Sequence, residues 1–117
     1  MSDINLKTGG FTQAATIIAI NVEVGFVPKY VRIYNETAKA FEEWNDSMDD
    51  AEGIISPGTS GGSASLLITT GGITPILSSA TDATHLDPTT IMGFTFGADT
   101  AGYFNNASDV YTWIAMR

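Results

Sequence analysis

The chain's one histidine, His85, stands in Thr84-His85-Leu86-Asp87-Pro88. A Ser-His-Asp reading would make it the general base, with Asp82 or Asp87 as orienter and one of the serines as nucleophile. Nothing in the sequence places base, orienter and nucleophile together, so His85 reads as a solvated residue of a polar loop and no catalytic residue is expected. The densest acidic run, Asp46-Ser47-Met48-Asp49-Asp50-Ala51-Glu52-Gly53, offers oxygen ligands of the kind calcium takes. It lacks the Asp-x-Asp/Asn-x-Asp/Asn-Gly spacing with glutamate at position twelve. Asp46, Asp49, Asp50 and Glu52 therefore read as a solvated face, with no metal and no cofactor expected.

Glu42-Glu43 beside Trp44 has the ingredients of a glycosidase or lectin-like site, in which one acid gives a proton and a ring stacks on sugar. Neighbours on a strand point to opposite faces, so the two carboxylates cannot flank one bond. Ser60-Gly61-Gly62-Ser63 and Thr70-Gly71-Gly72 match neither dinucleotide-binding nor P-loop spacing and read as turns. Phe94, Phe96, Tyr103, Phe104, Tyr111 and Trp113 would suit base stacking. With five Lys and Arg against thirteen Asp and Glu, however, no basic funnel for phosphates exists, and core packing explains them better.

These residues must be positioned by strands. The chain has 117 residues, of which 15% are charged against roughly 25% in an average protein, and its 12 glycines sit among many serines and threonines. One domain, turn-rich and strand-forming, fits that composition. The net charge of −8 disfavours nucleic acid and anionic lipid as partners. The absence of cysteine excludes disulfides and thiolate ligands. No apolar run reaches the roughly 18 residues of a membrane-spanning helix. Met1 to Lys7 shows neither the basic start nor the apolar stretch of a secretory signal, so synthesis and use without such export are expected.

Period-two alternation marks strands at 18–24 (Ile18, Ile20, Val22 and Val24 on one face), 30–35 (Val31 and Ile33), 91–96 (Met92, Phe94 and Phe96) and 110–116. Gly25-Phe26-Val27-Pro28 ends the first of these. Tyr30 to Asn35 and Ala40 to Trp44 read as a hairpin about Asn35-Glu36-Thr37. A helix over Glu36 to Glu52 is the competing reading. Residues 45–63 read as a long exposed loop, and 78–90 as another. Ser65 to Thr70 and Ile73 to Leu77 read as strand cut at Gly71-Gly72, with Pro75 arguing for an edge or a bend. The sum is an all-β sandwich or small barrel over residues 14–117, preceded by an arm over 1–13. In the arm, Ile4, Leu6 and Phe11 are the anchors expected to contact a partner, and the arm is expected to gain its order from it.

Two stretches carry a family resemblance. Gly93-Phe94-Thr95-Phe96-Gly97, then Asn105-Asn106, then Tyr111-Thr112-Trp113-Ile114-Ala115 resembles the ending of small β-rich structural proteins of tailed bacteriophages, including head decoration or cement proteins. Val24-Gly25-Phe26-Val27-Pro28-Lys29-Tyr30-Val31-Arg32-Ile33-Tyr34-Asn35, followed by Glu43-Trp44, is similar to the opening of such proteins. The two cover about 22–45 and 91–117. The resemblance implies a non-enzymatic virion protein, made in the host cytoplasm, that forms a homotrimer on the capsid surface and bridges capsomers of the major capsid protein. The alternative from another class is a carbohydrate-binding virion module in which Trp44 or Tyr103 stacks a sugar and the 46–52 carboxylates hold calcium.

Overall fold

Eight strands and no helix make up the described residues of the computed structural model, which are 5–56, 65–77, 92–98 and 104–117. The strands are β1 (Leu6–Thr12), β2 (Ile20–Glu23), β3 (Tyr30–Asn35), β4 (Ala40–Asn45), β5 (Glu52–Ser56), β6 (Leu66–Ile76), β7 (Gly93–Phe96) and β8 (Val110–Met116). They form one antiparallel sheet in the order β1-β8-β3-β4-β5-β6-β7-β2, curled into a half-barrel. The all-β expectation therefore holds.

The alternation read from the sequence decides which side chains enter the curl. Val31 and Ile33 of β3, Trp44 of β4, Ile55 of β5, Ile68 and Ile73 of β6, Phe94 and Phe96 of β7, and Tyr111 and Ala115 of β8 are all buried. Phe26 and Phe104, from connecting segments, complete the core. The aromatics interlock edge to face: Phe96 meets Phe104 at 5.7 Å and Tyr111 at 5.4 Å, and Phe94 meets Trp113 at 5.6 Å between ring centroids. Each such pair adds about 0.5–1.5 kcal/mol beyond the area it buries.

Five expectations are corrected, four here and one at Gly71-Gly72. Residues 6–12 are no arm awaiting a partner, because β1 pairs with β8 along its whole length, from Leu6↔Met116 to Thr12↔Val110. Phe11 stacks on Tyr111 at 5.1 Å, so this strand is tied to the sheet by both backbone and ring. Residues 45–63 are not all loop: β5 runs through them, burying Gly53 and Ile55 and leaving Ile54 outside. No helix forms over 36–52, where a turn, β4, a second turn and the start of β5 follow one another. The strand expected at 18–24 is only Ile20–Glu23, and Ile18 is 52% exposed.

Gly71-Gly72 does not cut β6. The strand passes through them with an irregularity where β5 shifts its pairing between Glu52↔Ile73 and Gly53↔Ile68. Gly71 has φ of +70°, in the left-handed region that favours glycine, and a Cβ on Gly72 would strike the backbone of Glu52. Beyond Ile73, β6 pairs with β7 alone, so Pro75, opposite Phe94, lies where β6 has become an edge on its other side. The expectation for Pro75 was correct for this reason.

Candidate interaction face

The sequence offered Glu42-Glu43-Trp44 as a site, and β4 divides the three between two faces. Trp44 is 2% exposed and its indole N–H donates to the Asp49 carbonyl at 3.1 Å, so the ring is core and cannot stack a sugar. Glu42 points the same way and is buried among apolar neighbours, opposite Ile33 on one side and Ile55 on the other. Its Oε2 has no hydrogen-bond partner among the described residues. Desolvation pushes its pKa up to about 8, which keeps the carboxyl neutral across most of the acidic range. The close approach is possible because Gly53 of β5 has no Cβ to contest the space.

The acidic turn between β4 and β5 is closed by its own members. Asp49 donates its backbone N–H to a carboxylate oxygen of Glu52 at 2.9 Å, and Ala51 adopts φ of +67° to complete the bend. Asp46, Asp49 and Asp50 face solvent. Among the described residues no group of three His, Cys, Asp or Glu side chains is arranged to hold a metal.

His85, Asp82, Asp87, Tyr103 and Ile4 lie outside the described residues, as does the loop expected at 78–90. So does Gly58-Thr59-Ser60-Gly61-Gly62, whose letters match the Gly-x-Ser-x-Gly turn and which the sequence reasoning missed. That motif acts as a nucleophile elbow only between a strand and a helix, and no helix occurs among the described residues.

A polar clasp was also missed. Gln13, just past β1, donates from Nε2 to Asn105 Oδ1 at 2.8 Å and to the Ile18 carbonyl at 3.0 Å, and its Oε1 accepts from the Ala14 N–H at 2.8 Å. Asn105 in turn donates to the Gly97 carbonyl at 2.6 Å. Alongside, Asn35 donates to the Phe104 carbonyl at 2.8 Å and to Asp109 at 2.9 Å, and the Tyr111 hydroxyl donates to the same Phe104 carbonyl at 2.8 Å. Burial, with the negative charges of Asp109 and Glu42 adding to it, pushes the Tyr111 phenol up to about 12 against a hydrogen bond from the Asn106 backbone that pulls it down. These groups satisfy one another while closing the end of the half-barrel, a structural task.

The side chains that the core does not take up stand on the outside of the sheet. The pairing registers align one row straight across six strands: Thr8, Ile114, Arg32, Glu43, Ile54 and Leu67. A second row runs Thr112, Tyr34, Phe41 and Ser56. Leu6, Tyr34, Ile54, Leu67 and Met116 are each at least 40% exposed. Tyr34, Phe41, Met116 and Arg32 on this face, set among aliphatic side chains, Glu43 and hydroxyls, are residue types enriched in interfaces.

Arg32 and Glu43 sit directly opposite each other on β3 and β4, yet each turns to an aromatic neighbour on the diagonal. The Arg32 guanidinium lies over the Phe41 ring at 4.2 Å, and Glu43 accepts a hydrogen bond from the Tyr30 hydroxyl. Partial burial, and secondarily that bond, push Tyr30 up to about 12. Beside Arg32 a hollow of about 470 Å³ opens, lined by Thr8, Gly9, Arg32, Tyr34, Thr112, Trp113 and Ile114. A second hollow, of about 420 Å³, lies between the free edges of β1 and β2, with Gly9, Gly10 and Phe11 on one side and Ile20–Glu23 on the other. Comparison of the chain with protein-family models, with curated proteins and with solved structures finds no significant match.

Proposed function

We propose that this chain is a non-enzymatic structural protein that works by adhesion, of the capsid decoration or cement type, bound as a homo-oligomer to the major capsid protein on the outside of a bacteriophage head. The observation that carries the adhesive part of the reading is the outer face of the sheet, where Tyr34, Ile54, Leu67 and Met116 stay exposed around Arg32 and Glu43. Large apolar side chains left exposed together on one face of a sheet mark it as an interaction surface. The resemblance of residues 22–45 and 91–117 supplies the virion part. The residues that carry it lie in β3, β4, β7 and β8, of which β3, β4 and β8 bear the outer-face rows.

The test is to raise antibody against the purified chain and label gradient-purified phage particles from the source culture. Label on the head surface is the expected result. A chain found only in the fraction free of particles overturns the proposal. Leu67→Glu, on an exposed position, is expected to remove the chain from particles while leaving its circular dichroism unchanged.

A further inference from the structure

We propose that the gap between the free edges of β1 and β2 receives an extended segment of a partner polypeptide, which hydrogen-bonds to both edges and closes the half-barrel. The inference concerns the edges of the sheet, not its outer face, and stands whether or not the chain belongs to a virion.

The pairing fixes where each backbone group points. The Arg117 N–H donates to the Asn5 carbonyl and the Gln13 N–H to the Asp109 carbonyl, so the odd-numbered residues between them bond to β8. Thr8 and Gly10 therefore direct their N–H and C=O groups to the free edge. Across the gap the Val24 N–H donates to the Met92 carbonyl, so Val22 and Ile20 bond to β7, and Asn21 and Glu23 are left directed to the other free edge. All four residues are exposed, and none of these edge groups is paired among the described residues.

Every pairing in the sheet is antiparallel, which makes β1 and β2 run in opposite directions along the hollow of about 420 Å³ between them. Phe11 meets Phe96, the pairing partner of Ile20, at 5.8 Å, so Phe11 is level with Ile20, Gly10 with Asn21, Gly9 with Val22 and Thr8 with Glu23. A segment antiparallel to β1 is parallel to β2, and three consecutive residues of it fit both edges. The first exchanges its N–H and C=O with Gly10 and the third does so with Thr8. The second donates its N–H to the Asn21 carbonyl and accepts from the Glu23 N–H, the slanted pattern of a parallel pair.

The neighbours specify the occupant. The second residue enters on the inner face beside Val22 and the Trp113 ring that covers Gly9, which calls for an aliphatic side chain. The third stands on the outer face between Thr8 and Glu23, which calls for Lys or Arg, as does the net charge of −8. The first lies between Gly10 and Asn21, which calls for a hydroxyl or an amide. A strand in this gap needs both of its sides free. Each described strand of a second copy already has at least one side taken by its own sheet, so those strands are excluded and a segment unpaired in its own protein is required.

The test titrates the full chain with the end-blocked peptide Ser-Ala-Thr-Val-Lys-Ala-Ser and follows amide hydrogen exchange by NMR. In the free chain the Thr8, Gly10 and Glu23 amides are expected to exchange rapidly. Peptide at about 2 mM is expected to protect all three, with a dissociation constant of about 0.1–1 mM for so short and flexible a ligand. A methyl group on the peptide's Val nitrogen removes the bond to the Asn21 carbonyl, and Thr8→Pro removes an edge donor without touching the β8 ladder. Each is expected to weaken binding at least about tenfold. Glu23→Lys is expected to weaken the same peptide and to prefer its counterpart with Glu in place of Lys. Should Thr8→Pro fail to fold, the methylated peptide and Glu23→Lys decide. Edge amides already protected in the free chain, as another part of this chain in the gap would make them, overturn the proposal. So does an absence of protection by the peptide, or binding indifferent to the methyl group.

Discussion

Gly53 and Glu42 occupy one space: a Cβ added to Gly53 would collide with the Oε2 of Glu42 across the β4–β5 pair. The carboxyl lies in the core because its neighbour on the next strand has no side chain. Gly53→Ala is therefore expected to destabilise the fold by about 1–3 kcal/mol, the usual range for overpacking. In Gly53→Ala/Glu42→Ala the added methyl finds room, so the double variant should lose less than the sum of the two single losses. Urea unfolding followed by tryptophan fluorescence measures all three.

The pH dependence of that carboxyl runs opposite to the usual one for acids. Its pKa is about 8 in the folded chain against an ordinary 4.5, so between those values the folded state holds a proton that the unfolded chain has released. Its contribution is full at low pH and is lost as pH rises from about 4.5 to about 8, at a slope approaching 1.4 kcal/mol per pH unit. Glu42→Gln has no proton to lose. The wild type is expected to weaken relative to this variant across the window, and parallel stability curves from pH 4 to 9 would refute it.

Gln13 ties the end of β1 to Ile18 and Asn105. Gln13→Ala leaves the backbone of Ile18 and the amide of Asn105 without those partners, at a cost of about 1–3 kcal/mol. Asn105→Ala breaks the same network, so the two losses should not add. Thermal melts of both singles and the double check this.

Removing residues 1–13 takes away β1, the Phe11 stack on Tyr111 and the Gln13 clasp. The truncated chain is expected to melt at least about 10 °C lower, since 1 kcal/mol is worth about 4–8 °C in a domain near this size. Phe11→Ala alone should account for a large part of the fall. A truncated protein that melts like the full chain would restore the reading of this segment as a detached arm.

The sequence was legible where alternation ran for five or six residues with large side chains on one face. Val31 and Ile33, Phe94 and Phe96, and Tyr111 and Trp113 all point where their spacing put them. It misled where the strand signal was brief or its chemistry diluted. In β5 only Gly53-Ile54-Ile55 alternate between an acidic run and a Ser/Pro/Gly-rich one, and in β1 Gly9-Gly10 erase the pattern. Gly9 is glycine because the Trp113 ring lies over it, where a Cβ would come within 2.6 Å of the ring, a fact written 104 positions away in the chain. The outer face was the least legible part. Arg32, Glu43, Ile54 and Leu67 read singly as solvent-facing residues, and only the registers of four strands bring them into one row.

The pairing of β1 with β8 also sets an order of events during synthesis. Among the described strands β1 pairs with β8 alone, so Leu6 waits for Met116, whereas β3 and β4 can zip together as soon as both emerge. Because β8 lies between β1 and β3, its arrival joins both at once. Such long-range pairing slows folding, and until β8 emerges it leaves Phe11 and the edge of β1 that β8 will cover exposed to other nascent chains.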